Sequence, residues 1–425
     1  MNEFGMPSGE FVEFDCPHCS MRLKVSSSMI GRPAKCPGCN GIADVPGIPP
    51  SVDPGERPDS AGTSDTHIVE TPEPPSLERK VNPGSTGSVP ASLVDEAGSE
   101  ASQEIGAETE TRKLYRRITD EVAKIFVGQE ELVQGTLVAL FSGGHVLIES
   151  VPGLGKTLFV RTLGKILGCQ FGRIQFTADL MPSDITGAPI FNLKTQEFEF
   201  RPGPVFTQLL LADEINRAPA KTHAALLEIM QEKRVTVDGV THILDPPFLA
   251  VATQNPIESE GTYNLPEAQL DRFMFKLSAE YPSEEQEAEI LMKHGSQHDL
   301  NVQLEEEIQQ VTTPSEIVRV THENGGIRVD PMLVGYINRI VRLTREWPQF
   351  FMGASPRAGI SLMQGARTLA GFYGRDYAVP DDVVQIALPA LRHRVQLTAE
   401  AEVEGQSVDQ LLTDLIRTIE VPRLK

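Results

Sequence analysis

Short apolar runs separated by helical patterns dominate the chain from about Thr109 onward. Residues 223–233, HAALLEIMQEK, have the apolar spacing of a helix that buries one face. The apolar runs between such helices have the length of strands and lie at 145–149, 173–176, 205–214 and 248–254. This alternation predicts an α/β fold, in which helices cover both faces of a parallel sheet.

Two stretches of alternating apolar and polar residues, 188–200 and 234–244, predict hairpins within this region. In the second hairpin, Asp238-Gly239 separates the two alternating runs, and this dipeptide favours a type I′ turn. From Pro282 to the C-terminus the strand signal fades and helical patterns dominate.

The composition divides the chain into four regions. Residues 1–48 contain two tight cysteine pairs, and residues 49–108 are rich in Pro, Ser, Gly, Glu and Asp without a sustained apolar period. Such a stretch buries too little apolar surface to offset its conformational entropy, so we expect a disordered linker. We expect an α/β core at 109–281 and a helical domain at 282–425.

The chain of 425 residues carries a formal net charge of −21. This acidic balance argues against nucleic acid as a partner, because phosphate backbones attract basic surfaces. The N-terminus lacks a basic segment followed by an apolar core, and no apolar run approaches the roughly 18–20 residues that span a bilayer. We therefore expect a cytoplasmic protein without a membrane span.

Residues 148–157, IESVPGLGKT, end in the way that a phosphate-binding loop ends. The stretch follows a predicted strand and precedes a helical pattern, so that backbone N–H groups and the helix dipole face a phosphate. We expect it to bind a nucleotide through Ser150, Val151, Pro152, Gly153, Leu154, Gly155, Lys156 and Thr157. Lys156 would reach the β- and γ-phosphates, and the Thr157 hydroxyl would bind Mg²⁺. Ser150 stands where the usual pattern has glycine.

Two adjacent acids, Asp213 and Glu214, follow the apolar run LLLA. Ligands bind at the carboxyl ends of strands in open parallel sheets, and buried charges without a partner are costly. We expect Asp213 to hold the water shell of a magnesium ion and Glu214 to orient or deprotonate an attacking water. Asn255 ends a third run, FLAVATQN, and is expected to hydrogen-bond that water or the γ-phosphate.

Four cysteines in the first region form two C-P-x-C pairs, Cys16 with Cys19 and Cys36 with Cys39. Two such pairs predict a tetrahedral Zn²⁺ site of four thiolates. The metal would supply folding energy that so short a region lacks, as in a small zinc ribbon of structural type. The alternative is four thiols without metal.

The motifs VPGLGKT, LLADEINRAP, ATQNP, LPEAQLDRF and GASPRA occur here in the order typical of the MoxR family of AAA+ ATPases. The resemblance extends from about Leu114 to the end of the chain. Residues 183–206 resemble the insert in the second helix of this AAA+ branch, and the hairpin at 234–244 resembles the one before the first sensor. The fold implied is a phosphate-loop core followed by an α-helical lid.

The resemblance also implies roles for single residues. Asn255 corresponds to sensor 1, Arg272 to the arginine finger and Arg357 to sensor 2 on the lid. Val127 and Gly128 correspond to the adenine-side segment ahead of the phosphate loop.

The activity implied is hydrolysis of ATP with Mg²⁺ in a homo-oligomer, a hexameric ring, in which Arg272 acts on the ATP of the next subunit. Arg217 is a second candidate for contact across that boundary. MoxR-type ATPases remodel, activate or assemble partner proteins, often with a von Willebrand A-type partner, and the zinc ribbon would recruit a client. The alternatives are a magnesium-chelatase-like subunit for metal insertion, a nucleic-acid motor and a nucleotide switch without turnover.

Overall fold

The computed structural model describes residues 11–15, 22–26, 33–36, 42–44, 108–151, 153–255, 263, 265–295, 304 and 306–423. Of the predicted linker at 49–108, only Glu108 belongs to these described residues. The chain divides into two compact units, Met1–Val89 and Pro90–Lys425. Two antiparallel pairs lie in the first unit: β1 (Phe11–Asp15) with β2 (Arg22–Ser26), and β3 (Pro33–Lys35) with β4 (Ile42–Asp44).

The second unit contains a parallel sheet with the strand order β13-β5-β12-β9-β6, which confirms the predicted fold class. Its strands are β5 (Val146–Ser150), β6 (Phe171–Gln175), β9 (Leu209–Asp213), β12 (Leu249–Gln254) and β13 (Phe275–Ala279). Strand β13 was not predicted, because FKLSA follows a loop and is short. Three antiparallel pairs accompany the sheet: β7 (Gly187–Asn192) with β8 (Glu197–Pro202), β10 (Arg234–Val237) with β11 (Val240–Ile243), and β14 (Phe350–Met352) with β15 (Gln396–Leu397).

Helices pack around this sheet and form the lid. Those up to the last strand of the sheet are α1 (Glu110–Ile125), α2 (Glu130–Phe141), α3 (Lys156–Leu167), α4 (Pro182–Thr186), α5 (Ala220–Glu232) and α6 (Glu267–Leu270). Those that follow are α7 (Glu284–His294), α8 (Pro314–Gly325), α9 (Pro331–Leu343), α10 (Pro356–Phe372), α11 (Pro380–Leu391), α12 (Ala399–Val403) and α13 (Val408–Arg417).

The central strands are buried on both faces, as a parallel sheet requires. Leu209 and Leu211 of β9 point into a cluster with α1, α2, α3 and the lid helices. Leu210 and Ala212, the alternate residues, point into a second cluster with α5. Because side chains alternate between the faces of a strand, the continuous run LLLA supplies both clusters at once.

Proline marks the start of four lid helices, α8 to α11. Its missing N–H costs nothing at the first helical position, and its fixed φ is already helical. The residues before three of these prolines, Thr313, Asp330 and Ser355, accept a hydrogen bond from a backbone N–H of the first turn. These caps define where the lid helices begin.

Both predicted hairpins are present, and they contact each other. Asp238 and Gly239 have φ of 49° and 79°, the two left-handed residues that a type I′ turn needs. The ring of Phe200 on β8 stacks on His242 of β11 with centroids 4.0 Å apart. The hairpin at 188–200 also exposes Leu193 and Phe198.

The lid helices share one apolar cluster with the sheet, so the predicted domains at 109–281 and 282–425 do not have separate cores. Within the described ranges, the helices are either too short or too polar to cross a membrane.

His145 joins three elements at the amino end of β5. Its Nδ1 accepts the N–H of Ala250 at 3.0 Å, and its Nε2–H donates to the carbonyl oxygen of Met230 at 2.9 Å. Burial lowers the pKa of the imidazole from 6.5 to about 4, because the charged form would lose its hydration. The ring is therefore neutral and holds α5 and β12 to β5.

We predict that this histidine makes the fold acid-sensitive. Between pH 6.5 and 4 the unfolded chain binds a proton at this residue and the folded chain does not, so the free energy of unfolding falls as the pH falls. From pH 7 to pH 5 the loss from His145 is about 2 kcal/mol. Urea unfolding at both pH values should show a smaller drop for His145→Asn than for the wild-type chain. An equal drop in the two proteins would contradict the assignment.

Candidate active site

The phosphate loop connects the end of β5 to the first turn of α3, as predicted. Gly153 and Gly155 have φ of 89° and 73°, in the left-handed region that favours glycine. A Cβ at Gly153 would meet nothing within 4 Å, so the backbone conformation and not a lack of room requires glycine there. Pro152 lies outside the described residues. The loop leads into the N-terminus of α3, where free N–H groups and the helix dipole favour an anion.

Lys156 is bonded to three oxygens of the preceding loop. Its Nζ donates to the Ser150 hydroxyl at 2.7 Å and lies 3.4 Å from the carbonyl oxygens of Ser150 and Val151. The Ser150 hydroxyl in turn donates to the carbonyl oxygen of Val151 at 3.2 Å. A glycine at position 150 would lack the shortest of these contacts, so the serine changes how the lysine is held.

Both oxygens of the Asp213 carboxylate are occupied. Oδ1 accepts a 2.6 Å hydrogen bond from the Thr253 hydroxyl, and Oδ2 lies 2.8 Å from Nη2 of Arg173. Thr253 is on β12 and Arg173 on β6, the two strands that flank β9 in the sheet. The side chain of Asp213 is only 12% exposed, and these partners offset the cost of burying its charge.

Glu214 follows the end of β9 in a left-handed conformation, with φ of 55°. Its backbone N–H donates to the Thr253 hydroxyl oxygen at 2.9 Å. Its carboxylate accepts a 2.8 Å hydrogen bond from the Gln175 amide and lies 3.0 Å from Nε of Arg217. Arg217, expected at a subunit boundary, thus forms an ion pair with Glu214 of its own chain.

These elements meet around one cavity of about 240 Å³. Its lining consists of phosphate-loop residues, the two acids and the end of β12: Gly153, Gly155, Lys156, Thr157, Leu158, Asp213, Glu214, Thr253, Gln254 and Asn255. The Thr157 hydroxyl and the Asp213 carboxylate are hard oxygen donors on the same cavity, and such donors suit Mg²⁺. The lysine and loop amides suit a polyphosphate.

The segment that is expected on the adenine side begins beside the phosphate loop. The ring of Phe126, which precedes Val127 and Gly128, lies 5.0 Å from that of Phe159 on α3. Gly128 has φ of 71°, and a Cβ there would come within 2.8 Å of the Gln286 side chain. The backbone therefore passes closely beneath α7 at this glycine.

Arg272 and Arg357 do not reach this cavity. They line a second cavity of about 270 Å³ together with Lys233, Asp271 and Arg394. Arg272 precedes β13, which runs parallel to β5 with Phe275 opposite Val146. The second cavity therefore lies at the amino ends of the strands, and the phosphate loop leaves their carboxyl ends roughly 13 Å further along β5.

Two family models match the chain. Residues 145–275 match the ATPase family associated with various cellular activities (AAA), and residues 342–415 match the AAA lid domain. The Chaperone MoxR1 of Mycobacterium tuberculosis is 42% identical over 351 residues, which are 80% of this chain and 90% of that protein. The chain belongs to the MoxR family of AAA+ ATPases.

Two further proteins are similar to this MoxR-family chain over most of their length. The uncharacterized protein YeaC of Bacillus subtilis is 44% identical over 309 residues, covering 73% of this chain and 95% of that protein. The crystal structure of a proposed ATPase from Cytophaga hutchinsonii is 40% identical and superimposes with a TM-score of 0.69, covering 74% of this chain and 96% of that one. This MoxR-family chain is an ATP hydrolase.

Three side chains of the MoxR-family site were not predicted: Thr253, Arg173 and Gln175. Thr253 and Gln175 lie at or near the ends of strands that neighbour β9, Arg173 lies in the middle of one of them, and each bonds to Asp213 or Glu214. Polarity at a strand end is a signal that sequence alone contains. Which strands are neighbours of β9 depends on the sheet order, so the partners could not be assigned.

We predict that Ser150 weakens ATP binding. Lysine has three N–H donors, so a phosphate must displace loop oxygens from Lys156. Removing the hydroxyl in Ser150→Ala should tighten ATP binding about two- to tenfold, the range of one typical intramolecular hydrogen bond. Calorimetric titration with ATP measures this, with the exposed Ser315→Ala of the lid as the matched control. Unchanged or weaker binding in Ser150→Ala would show that the contact does not compete with the nucleotide.

Proposed function

We propose that this AAA+ ATPase uses ATP hydrolysis to remodel, activate or assemble partner proteins. The observation that carries the proposal is the single cavity lined by Lys156, Thr157, Asp213, Glu214 and Asn255. The Mycobacterium relative is named a chaperone, which supports work on other proteins. The net charge of −21 favours such a role over that of a nucleic-acid motor.

In the proposed mechanism, the loop amides and Lys156 bind the β- and γ-phosphates. Thr157 would bind Mg²⁺ and Asp213 would hold its water shell, and the ion would supply positive charge to the phosphate oxygens. Glu214 takes a proton from the attacking water, and Asn255 orients that water or the γ-phosphate. Gln175 and Arg217 hold the Glu214 carboxylate at the cavity, and they must yield part of that contact when Glu214 bonds to water.

We place the action of Arg272 and Arg357 on a neighbouring subunit. Both arginines line a cavity at the amino ends of the strands, away from the phosphate loop of their own chain. A contact between one subunit's arginines and the next subunit's ATP is head-to-tail, and such contacts close into a ring or continue as a spiral. We propose a homo-oligomer, with a hexameric ring as the assembly.

The N-terminal unit is proposed to bind Zn²⁺ and to recruit a client, and the ATPase is proposed to work with a von Willebrand A-type partner protein. Cys36 is fully buried after strand β3, whereas Cys16, Cys19 and Cys39 lie outside the described residues. Among the described residues no group of metal-ligating side chains is assembled. The proposal rests on the C-P-x-C spacing and on the affinity of thiolates for zinc. Reduced thiolates also favour a cytoplasmic location.

We predict that two inactive variants restore each other's activity. Glu214→Gln keeps its arginines and its ATP binding but loses the general base, a loss of about 10²–10⁴-fold in turnover. Arg272→Ala keeps its own site but offers no finger, a loss of about 10³–10⁵-fold. When equal amounts exchange subunits, about a quarter of the interfaces in a ring combine a finger from one variant with a base from the other. Phosphate release should reappear in the mixture.

The control for this mixture is Glu323→Gln, the same chemical change in the exposed Arg319 ion pair on α8, which should leave turnover unchanged. A mixture as inactive as its components would mean that Arg272 does not act on a neighbour. A Glu214→Gln chain with normal turnover would instead disprove the assigned base.

The zinc proposal predicts about one zinc ion per chain, with four thiols protected from alkylation until the metal is chelated. Cys36→Ser should lower the zinc content without loss of ATP hydrolysis, since hydrolysis belongs to the other unit. Cys169→Ser, which removes the buried cysteine of the ATPase unit, is the control and should keep the zinc. Metal analysis that finds no zinc in the wild-type chain would leave four free thiols as the correct interpretation.

A further inference from the structure

One buried side chain of the lid, Arg394, reaches the segment that carries the arginine finger. Arg394 lies just after α11, and its side chain is 2% exposed. All three nitrogens of its guanidinium donate hydrogen bonds. Nε donates to Asp271 Oδ1 at 2.8 Å. Nη1 donates to the carbonyl oxygens of Met274 at 3.2 Å and Ala390 at 2.6 Å. Nη2 lies 2.8 Å from the carbonyl oxygen of Phe273, 3.2 Å from that of Asp271 and 3.2 Å from Ser361 Oγ.

These bonds hold the backbone on both sides of Arg272. The same Nη2 atom donates to the carbonyl oxygens of Asp271 and Phe273, the residues before and after the finger. His393 adds a further donor, because its Nε2–H lies 3.0 Å from the carbonyl oxygen of Phe273. Burial and the adjacent guanidinium hold the pKa of His393 well below its usual value, so the ring is neutral. The finger thus extends from a backbone held by two lid residues.

Asp271 connects the same guanidinium to the helix that carries Arg357. The Ser355 hydroxyl lies 3.0 Å and 2.9 Å from the two carboxylate oxygens of Asp271 and caps the N-terminus of α10. Arg357 is the second residue of α10, and its Nη1 lies 3.9 Å from Asp271 Oδ2. Arg272 and Arg357 are therefore held relative to each other through Asp271 and Arg394.

Burying the charge of Arg394 costs hydration free energy that an apolar residue at this position would not lose. Apolar residues of similar volume often stabilise a fold as well as, or better than, a buried ion pair. An arginine differs in presenting five N–H donors in a rigid plane, which sets the direction of several backbone carbonyls at once. The arrangement therefore favours a role in geometry over one in stability.

We propose that Arg394 is a positioning residue, which orients Arg272 and Arg357 toward the γ-phosphate of the ATP bound by the neighbouring subunit. This rests on the proposed action of the two arginines between subunits. Arg394 belongs to the lid, whereas its acceptors Asp271, Phe273 and Met274 precede strand β13 of the sheet. A rotation of the lid against the sheet therefore moves the finger. Lid orientation in one subunit thereby controls hydrolysis in the next.

The variant that tests this is Arg394→Lys, which keeps the charge beside Asp271 and loses the planar fork. We expect kcat to fall about ten- to hundredfold, since a displacement of about 1 Å at a reacting group costs up to about 10²-fold. The KM for ATP should stay within about twofold, because the chain's own nucleotide cavity is untouched. Arg375→Lys is the matched control. It alters a second buried arginine pair of the lid, with Asp382 at 2.6 Å, and should leave kcat unchanged.

Subunit mixing separates a positioning defect from general damage. Arg394→Lys subunits have an intact nucleotide cavity, so fingers from Glu214→Gln subunits should restore their phosphate release. Mixing with Arg272→Ala subunits should restore nothing, because neither variant supplies a well-placed finger. Thermal unfolding and sedimentation of each variant check folding and ring formation.

Two results would overturn the proposal: wild-type kcat in Arg394→Lys, or rescue of Arg272→Ala but not of Arg394→Lys by Glu214→Gln. Failure of Glu214→Gln to rescue Arg272→Ala would instead overturn action between subunits, and the proposal with it. If Arg394→Lys does not fold, Ser355→Gly replaces it. Glycine is well tolerated in place of serine at a helix N-cap. This variant frees Asp271 from α10 and should show the same pattern of rescue. If Ser355→Gly does not show that pattern, the proposal is overturned in the same way.

Discussion

The burial of the Asp213 carboxylate at the end of the central strand is the constraint on which the site depends. A buried charge requires partners, and here they come from the strands on both sides: the Thr253 hydroxyl on β12 and the Arg173 guanidinium on β6. Thr253 also accepts the N–H of Glu214, so a single hydroxyl sets the position of both acids. The sheet order β12-β9-β6 is thus part of the chemistry, because any other order would leave Asp213 without these partners.

The direction of the strands has a second consequence. All five strands of the sheet are parallel, so their two ends differ. The carboxyl ends carry the phosphate loop and the acids, and the amino ends carry the segment before β13. The chain therefore has the phosphate loop and the acids at one end of the strands and Arg272 and Arg357 at the other. In the proposed homo-oligomer, copies joined at these ends would form a directional assembly.

The lid takes part in this arrangement through packing and through hydrogen bonds. Its helices share the apolar cluster that covers one face of the sheet, so lid and sheet are not independent bodies joined by a hinge alone. Within that contact, Arg394 and His393 are the polar connections to the backbone around Arg272. Apolar packing sets how closely the lid lies on the sheet, and directional hydrogen bonds hold the backbone from which Arg272 extends.

Local patterns in the sequence determined the strands of the run LLLA and its neighbours, the type I′ turn at Asp238-Gly239, the phosphate loop and the acids that follow β9. These features depend on the periodicity of burial and on backbone preferences of single residues, which act between near neighbours along the chain. Only the tertiary structure decided that Thr253 and Arg173 hold Asp213, that Ser150 bonds to Lys156, and that Arg394 holds the backbone around Arg272 from a position more than a hundred residues away. Such contacts depend on which strands and helices become neighbours, and that is settled by the packing of the whole chain.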